Sequence, residues 1–439
     1  MSYPKVPNYA ALADELTLYS QLKYEYGAEG IAPLLARAEK AMAAALDELK
    51  KLPIDHQLAE QEPNQLAKIK QLRPDGARKM WDTLDTGVYA ERLEGALLGR
   101  FAGCTLGAPV EFWTVEHMQA WALEIGDAFP PVDYWSRIPE PQSLRYSVSR
   151  CDAYTREKMD GVPVDDDITY SLLGLLVVED FGLDFSIYDN GQAWLKYLPY
   201  ACTAEAIALR NLKKGIPASK AGDTKNPYCE WIGADIRADP WGYMAPGYPE
   251  FAADMAYRDA YLSHRRNGIY GEMYFAAVIA AAFAVDDPVE ALKIGLSEIP
   301  QNCAMAKTVK WALKVSPTIH NYKEAGSAIR QRFDGMSGVH TLLNACLTIW
   351  GITIGGCDLT RVIAETVAMG WDNDCTAATA GSIVGAVVGK AGIPAHWYAR
   401  FNNTVNSYLI DQKPFAITDL VQRFSIQASK ALLREQTGR

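Results

Sequence analysis

GALLGRFAGCTLGAP, residues Gly95–Pro109, places a glycine at every fourth position: Gly95, Gly99, Gly103 and Gly107. Glycine costs a helix interior roughly 1 kcal/mol per site relative to alanine, so a ridge of four needs a compensating reason. Residues four apart share one slowly drifting helix face, and a face without side chains lets a neighbouring backbone approach closely. The spacing predicts a helix packed backbone to backbone against another, and Pro109 ends it.

Outward from this stretch the chain reads mostly as helix. Few Pro or Gly interrupt Tyr9–Leu52, and Leu34–Leu52 is rich in Ala, Leu, Glu and Lys. Pro53 and Pro63 break that run, and a further helical segment covers Gln65–Gln71. Ile168, Leu172, Leu175 and Leu176 recur at helical spacing, with Gly182 as a stop. Gly271–Phe283, Val339–Trp350 and Cys375–Val388 are apolar helices, the last too apolar for a surface. Gly215–Gly247, rich in Gly, Pro, Asp and Trp, reads as long loops, and alternating strand patterns are scarce. The expected fold is all-α: a compact multi-helix bundle whose loops carry the site. Residues 1–86 are expected as an N-terminal helical extension and 87–439 as the main domain.

Composition narrows the function classes. With 49% apolar and 22% charged residues, the chain has the balance of an ordinary globular protein. A net charge of −10 argues against nucleic acid as a partner, since that affinity comes from clustered Lys and Arg. No membrane span is expected, and Met1–Tyr9 lacks the apolar run of a secretory signal. Eight cysteines without CxxC spacing and six histidines without close pairing argue against disulfides and zinc, so a cytoplasmic location is expected. The composition is also compatible with a homo-oligomer.

Two acidic motifs stand where a loop meets an apolar helix: Val164–Thr169 (VDDDIT) and Gly370–Thr376 (GWDNDCT). Consecutive carboxylates repel, and a helix dipole relieves one nearby acid by only about 0.3–1 kcal/mol. Helix N-capping alone explains either motif taken singly. Together they suggest more, because the apolar helix after Cys375 draws Asp372 and Asp374 inward and buried carboxylates need partners. Among residues 358–374 the only Lys or Arg is Arg361. A hard cation with oxygen ligands, Mg²⁺ above all, meets the need, and two converging acidic loops make a binuclear site.

At these residues the chain resembles the ADP-ribosylglycohydrolase superfamily, relatives of dinitrogenase-reductase-activating glycohydrolase. GALLGRFAGCTLGAPVE resembles its opening motif, DDDITYSLL its Thr-Asp-Asp-Thr motif, and GWDNDCTAATAGSIVGAVVG its Gly-Gly-Asp-Thr-Asp-Thr motif; GIPAHWY resembles the segment that follows. The resemblance implies two Mg²⁺ ions (Mn²⁺ as alternative) held by Asp166, Asp167, Asp372 and Asp374, with Asp165 and Cys375 as further candidate ligands. It places Glu111, Asp167 and Asp374 at the reaction centre and implies hydrolysis at the anomeric carbon of a ribosyl or ADP-ribosyl substrate. Asp165 and Ile168 stand where the family has Thr, Cys375 where it has a hydroxyl, and Cys104 where it often has Asp. These departures keep a second reading open, a protein that binds an ADP-ribose-like ligand without cleaving it.

Further ligand contacts are expected from the polar segment before an apolar helix, with Asn267 and Tyr270 reaching the substrate. Gly338 and His340 precede another apolar helix, and Trp371 adjoins the second acidic motif. Trp241 and Tyr243, read as loop residues, are weighed as stacking groups against local packing.

Overall fold

The structure, a computed structural model, describes residues 3–436. The chain divides into two compact units, Met1–Glu60 and Gln61–Arg439. The first contains helices Tyr9–Glu25 and Ile31–Leu49. Between them Gly27 and Gly30 take φ of 75° and 80°, values that side-chain-bearing residues rarely adopt. Asn8 caps the first helix by accepting from the Ala11 N–H at 3.0 Å.

The second unit begins at Gln61. Ile69, on the helix Leu66–Leu72, is fully buried. Lys70 meets Asp254 at 2.6 Å, and Arg73 bridges Glu250 at 2.8 Å and Glu298 at 2.5 Å. These pairs join residues far apart in sequence, which is why no local pattern reveals them.

The body is all-helical, as expected; among the described residues the strands are two-residue pairs, Leu144–Arg145 with Ser149–Arg150 and Thr404–Val405 with Phe415–Ala416. At its centre, helix Thr86–Gly107 lies along helix Asn373–Val388. The glycine ridge explains how closely. A Cβ on Gly99 would overlap the Gly381 carbonyl, and one on Gly381 would overlap the Gly99 carbonyl. Gly95 and Gly385 repeat that reciprocity one turn away, and Gly103 faces Ala377. Gly107 ends the seam against the backbone of Asp374. A feature read as a packing device thus sets the position of an acid in the second motif.

Helices Asn267–Ala282, Thr341–Gly355 and Leu359–Met369 surround this pair and are buried along most of their lengths. The segment read as long loops instead forms short helices, Ala218–Ala221 and Asp239–Met244, with a 3₁₀ turn at Ile232–Arg237. Trp241 and Tyr243 belong to the core: Trp241 Nε1 donates to Glu272 at 2.8 Å and Tyr243 Oη to Asp239 at 2.9 Å. Their Gly and Pro neighbours suggested a loop, but burial between helices overrides that local preference. Among the described residues no helix is long and apolar enough to cross a membrane.

Candidate active site

Two helix starts build the site. Asp165 caps the helix Asp166–Phe181, its carboxylate accepting from the Asp167 N–H at 3.1 Å, and Asp166 and Asp167 follow in the first turn. Asp372 precedes the helix Asn373–Val388, with Asp374 in its first turn. Both positive helix ends therefore face carboxylates. Glu111, just past the Ala108–Val110 turn that follows the glycine helix, joins them. Ligand atoms of Glu111, Asp372 and Asp374 lie within 4.8 Å of one another, as do those of Asp167, Asp374 and Cys375, and of Cys104, Asp165 and Asp167.

Two arginines answer part of this charge. Arg100, fully buried on the glycine helix, reaches Asp167 Oδ1 at 3.1 Å and Asp239 Oδ2 at 2.6 Å, and donates to the carbonyls of Asp167 and Ile236. Arg145, on the small hairpin, meets Glu111 at 2.7 Å, Asp374 at 2.8 Å and Asp165 at 3.0 Å. Beside it Tyr146 Oη donates to Asp166 at 2.6 Å. Asp167 Oδ2 and Asp372 Oδ1 remain buried with no hydrogen-bond partner among the described residues. Such atoms are costly unless something outside the chain satisfies them.

Over the acids opens a pocket of about 360 Å³, walled by Phe112, Tyr170, Cys202, Glu205, Trp231 and Val339 and floored by Glu111, Asp166 and Asp372. Glu205 is held from behind by Arg237 at 2.5 Å, which also binds Asp259 at 2.6 Å.

A model of the family described as ADP-ribosylglycohydrolase matches residues 85–430, well over half of the chain. The chain belongs to the ADP-ribosylglycohydrolase family. Members of this family are generally hydrolases and metal-dependent. A solved structure, "ADP-ribosylglycohydrolase-related protein complex", shares the fold at 18% identity and a TM-score of 0.51, over 79% of this chain and 99% of that one. Comparison with curated protein sequences finds no match.

The residues matching the glycohydrolase motifs converge: Glu111, Asp165, Asp166, Asp167, Asp372, Asp374 and Cys375 meet around one pocket floor. Asp165 has both oxygens engaged, one as helix cap and one by Arg145. The Cys375 thiol is pushed up by burial and then by the charges of Asp167 and Asp372, so it keeps its proton and is a poor ligand for a hard cation.

The residues expected from the flanking segments are placed elsewhere. Asn267 donates to Glu62 at 3.0 Å and Glu230 at 2.9 Å and accepts from the Met305 N–H. Tyr270 donates to the Pro63 carbonyl at 2.6 Å. Both are buried, and neither lines the pocket. Donors before an apolar helix were read as ligand contacts; here they fasten residues 62–64 to the body. His340 caps helix Thr341–Gly355 through the Leu342 N–H, and burial holds its imidazole down to about 4, hence neutral. Gly338 packs against Trp371, which lines a neighbouring cleft of about 290 Å³ with Phe112, Trp113 and Arg330. Phe112 is common to both openings.

Charge crowding makes the site pH-sensitive. Burial, then Asp374, pushes the Glu111 carboxyl up to about 8; burial, then Asp165, pushes Asp166 up to about 7. A carboxyl raised above its unfolded value stays protonated in the folded chain while the unfolded chain ionises. Its contribution is present at low pH and lost as pH rises through the folded value. The metal-free protein should therefore melt at a lower temperature at pH 8 than at pH 6, read in a chelator-containing thermal scan. Divalent-ion affinity should move oppositely, tightening across the same window as protons leave. A metal-free melting temperature that rises from pH 6 to pH 8 would contradict the crowding.

Proposed function

We propose that the chain is a Mg²⁺-dependent glycoside hydrolase, with Mn²⁺ able to replace Mg²⁺, that cleaves an N- or O-glycosidic bond to a ribose or ADP-ribose group. The observation that carries this reading is the pair of buried oxygens without partners, Asp167 Oδ2 and Asp372 Oδ1, beneath a pocket of sugar size. All-oxygen donors of high charge suit a hard cation, and Asp167, Asp372 and Asp374 would hold it. When bound, such an ion polarises sugar hydroxyls and lowers the pKa of a coordinated water.

The chain's own groups supply the rest. Glu111, whose carboxyl burial and then Asp374 push up, would hand its proton to the departing nitrogen or oxygen as water adds to the anomeric carbon, and a neighbouring carboxylate would take the proton that the water loses. The bond to the leaving group breaks with its electron pair going to that atom. Tyr170 and Trp231 offer apolar faces to the ring, and Glu205 an acceptor for its hydroxyls. Phe112, shared with the neighbouring cleft, gives the leaving group a place to stack.

A ribose-release screen with and without Mg²⁺ tests this, across ADP-ribosyl-arginine, O-acetyl-ADP-ribose, nucleosides and N-ribosyl amides, with Asp374→Ala as control. Mg²⁺-dependent release that disappears in the control is the expected result. Release that persists unchanged in Asp374→Ala would sink the mechanism, and metal and ligand binding without turnover would move the chain to the ligand-binding reading.

A further inference from the structure

Arg145 stands among the acids where cations would bind. Each of the three groups of potential metal ligands includes at least one carboxylate that it meets: Glu111, Asp165 or Asp374. Its Nε also contacts Asp165 at 3.1 Å, and its Nη1 donates to the Ala108 carbonyl at 3.0 Å. A guanidinium carries five N–H donors; four of those of Arg145 are hydrogen-bonded, to Asp165 twice, to Asp374 and to the Ala108 carbonyl, and Glu111 adds a close ion pair. The role of Arg145 is that of a fixed positive charge.

The hairpin holds it there. Tyr146 and Ser147 take left-handed φ of 52° and 60° in the three-residue turn between the paired Arg145 and Ser149. Tyr200 Oη donates to the Tyr146 carbonyl at 2.8 Å, and the Tyr146 ring lies 6.4 Å from Tyr200 and 5.5 Å from Tyr408. The guanidinium sits 5.2 Å from the Tyr146 ring centre and 6.0 Å from that of Tyr154. Withdrawing the side chain would leave Asp165, which is fully buried, without its only cationic partner among the described residues. An arginine stays charged at any working pH, so the cation cannot be switched off by deprotonation.

What Arg145 leaves open is Asp167 Oδ2 and Asp372 Oδ1; Asp374 shares a ligand group with each, its Oδ2 on Arg145 and its Oδ1 accepting from the Cys375 N–H. We infer that Arg145 takes the place of one metal ion, so that the chain holds a single divalent ion among Asp167, Asp372 and Asp374 beside a permanent guanidinium. The inference rests on the metal-dependent reading above and departs from the two ions that the family resemblance implies. It also gives Asp165 a purpose, since the carboxylate standing where the family has Thr is the one bound twice by Arg145.

Mn²⁺ serves as the probe. Equilibrium dialysis with metal analysis counts ions per chain, and electron paramagnetic resonance distinguishes an isolated Mn²⁺ from a spin-coupled pair. One isolated Mn²⁺ is expected in the wild-type chain, and two coupled ions in Arg145→Met combined with Asp165→Thr, which removes the charge pair together. Two ions in the wild-type chain would overturn the inference and leave the metal-dependent reading standing. No ion in the wild-type chain would overturn both. One ion in the folded double variant would show that Arg145 blocks no second site, and the wild-type count decides the stoichiometry even if that variant does not fold.

Discussion

Asp372→Asn will abolish metal-dependent turnover while stabilising the metal-free protein. Asp372 is buried, its Oδ1 has no hydrogen-bond partner among the described residues, and burial followed by the charges of Asp374 and Glu111 pushes its carboxyl far up. An amide of the same shape can never ionise and adds donors among neighbours that are almost all acceptors. Relief of a buried unsatisfied polar group is worth about 1–3 kcal/mol, which should appear as a higher melting temperature in chelator. The same change removes a candidate ligand. Losing a group that merely orients a metal ligand costs 10–100-fold, so kcat/KM should fall by more than ~100-fold here. Stability and turnover moving in opposite directions would mark a site whose repulsion a cation normally relieves. Unchanged kcat/KM at saturating Mg²⁺ would remove Asp372 from the site, and a lower metal-free melting temperature would mean its oxygens are already satisfied.

Arg100→Met should do the reverse, damaging fold and site together. Arg100 lies fully inside the body between Asp167 and Asp239 and also satisfies the carbonyls of Asp167 and Ile236. Methionine fills much of the same space but leaves two buried carboxylates without their cation. Breaking a buried pair from one side typically costs ~3–5 kcal/mol, a large share of a domain's stability. Urea unfolding in chelator, followed by far-UV dichroism and tryptophan emission, would read the loss. Adding Asp239→Asn should recover part of it, because one of the stranded charges is then gone. A single variant as stable as wild type would mean that Asp167 and Asp239 are protonated in the native chain and need no counter-charge.

Sequence patterns anticipated most of the scaffold because they are local. The four-residue glycine repeat announced a close helix contact, and the structure supplies its partner in Gly381 and Gly385, whose own spacing repeats the device. The apolar run after Cys375 implied a buried helix, which forces its leading acids inward whatever the rest of the chain does. Asp165–Asp167 and Asp372–Asp374 were legible because like charges beside apolar helices need an explanation. Reading Gly215–Gly247 as loops failed where long-range burial organised a Gly- and Pro-rich segment into short helices.

What the sequence by itself determined, then, is the all-helical architecture, the family motifs and the acids that carry them, since each depends on periodicity or on neighbours a few positions away. Only the tertiary structure decided which cations meet those acids. Arg145 lies twenty residues from the nearest acid it binds, Arg100 meets Asp239 across 139 positions of sequence, and neither follows a local pattern. It likewise placed Asn267 against Glu62 and Tyr270 against the Pro63 carbonyl, because a donor satisfies whichever acceptor folding brings near it. Electrostatic partnership is a matter of distance in space, and sequence carries that distance only when the chain has no room to turn.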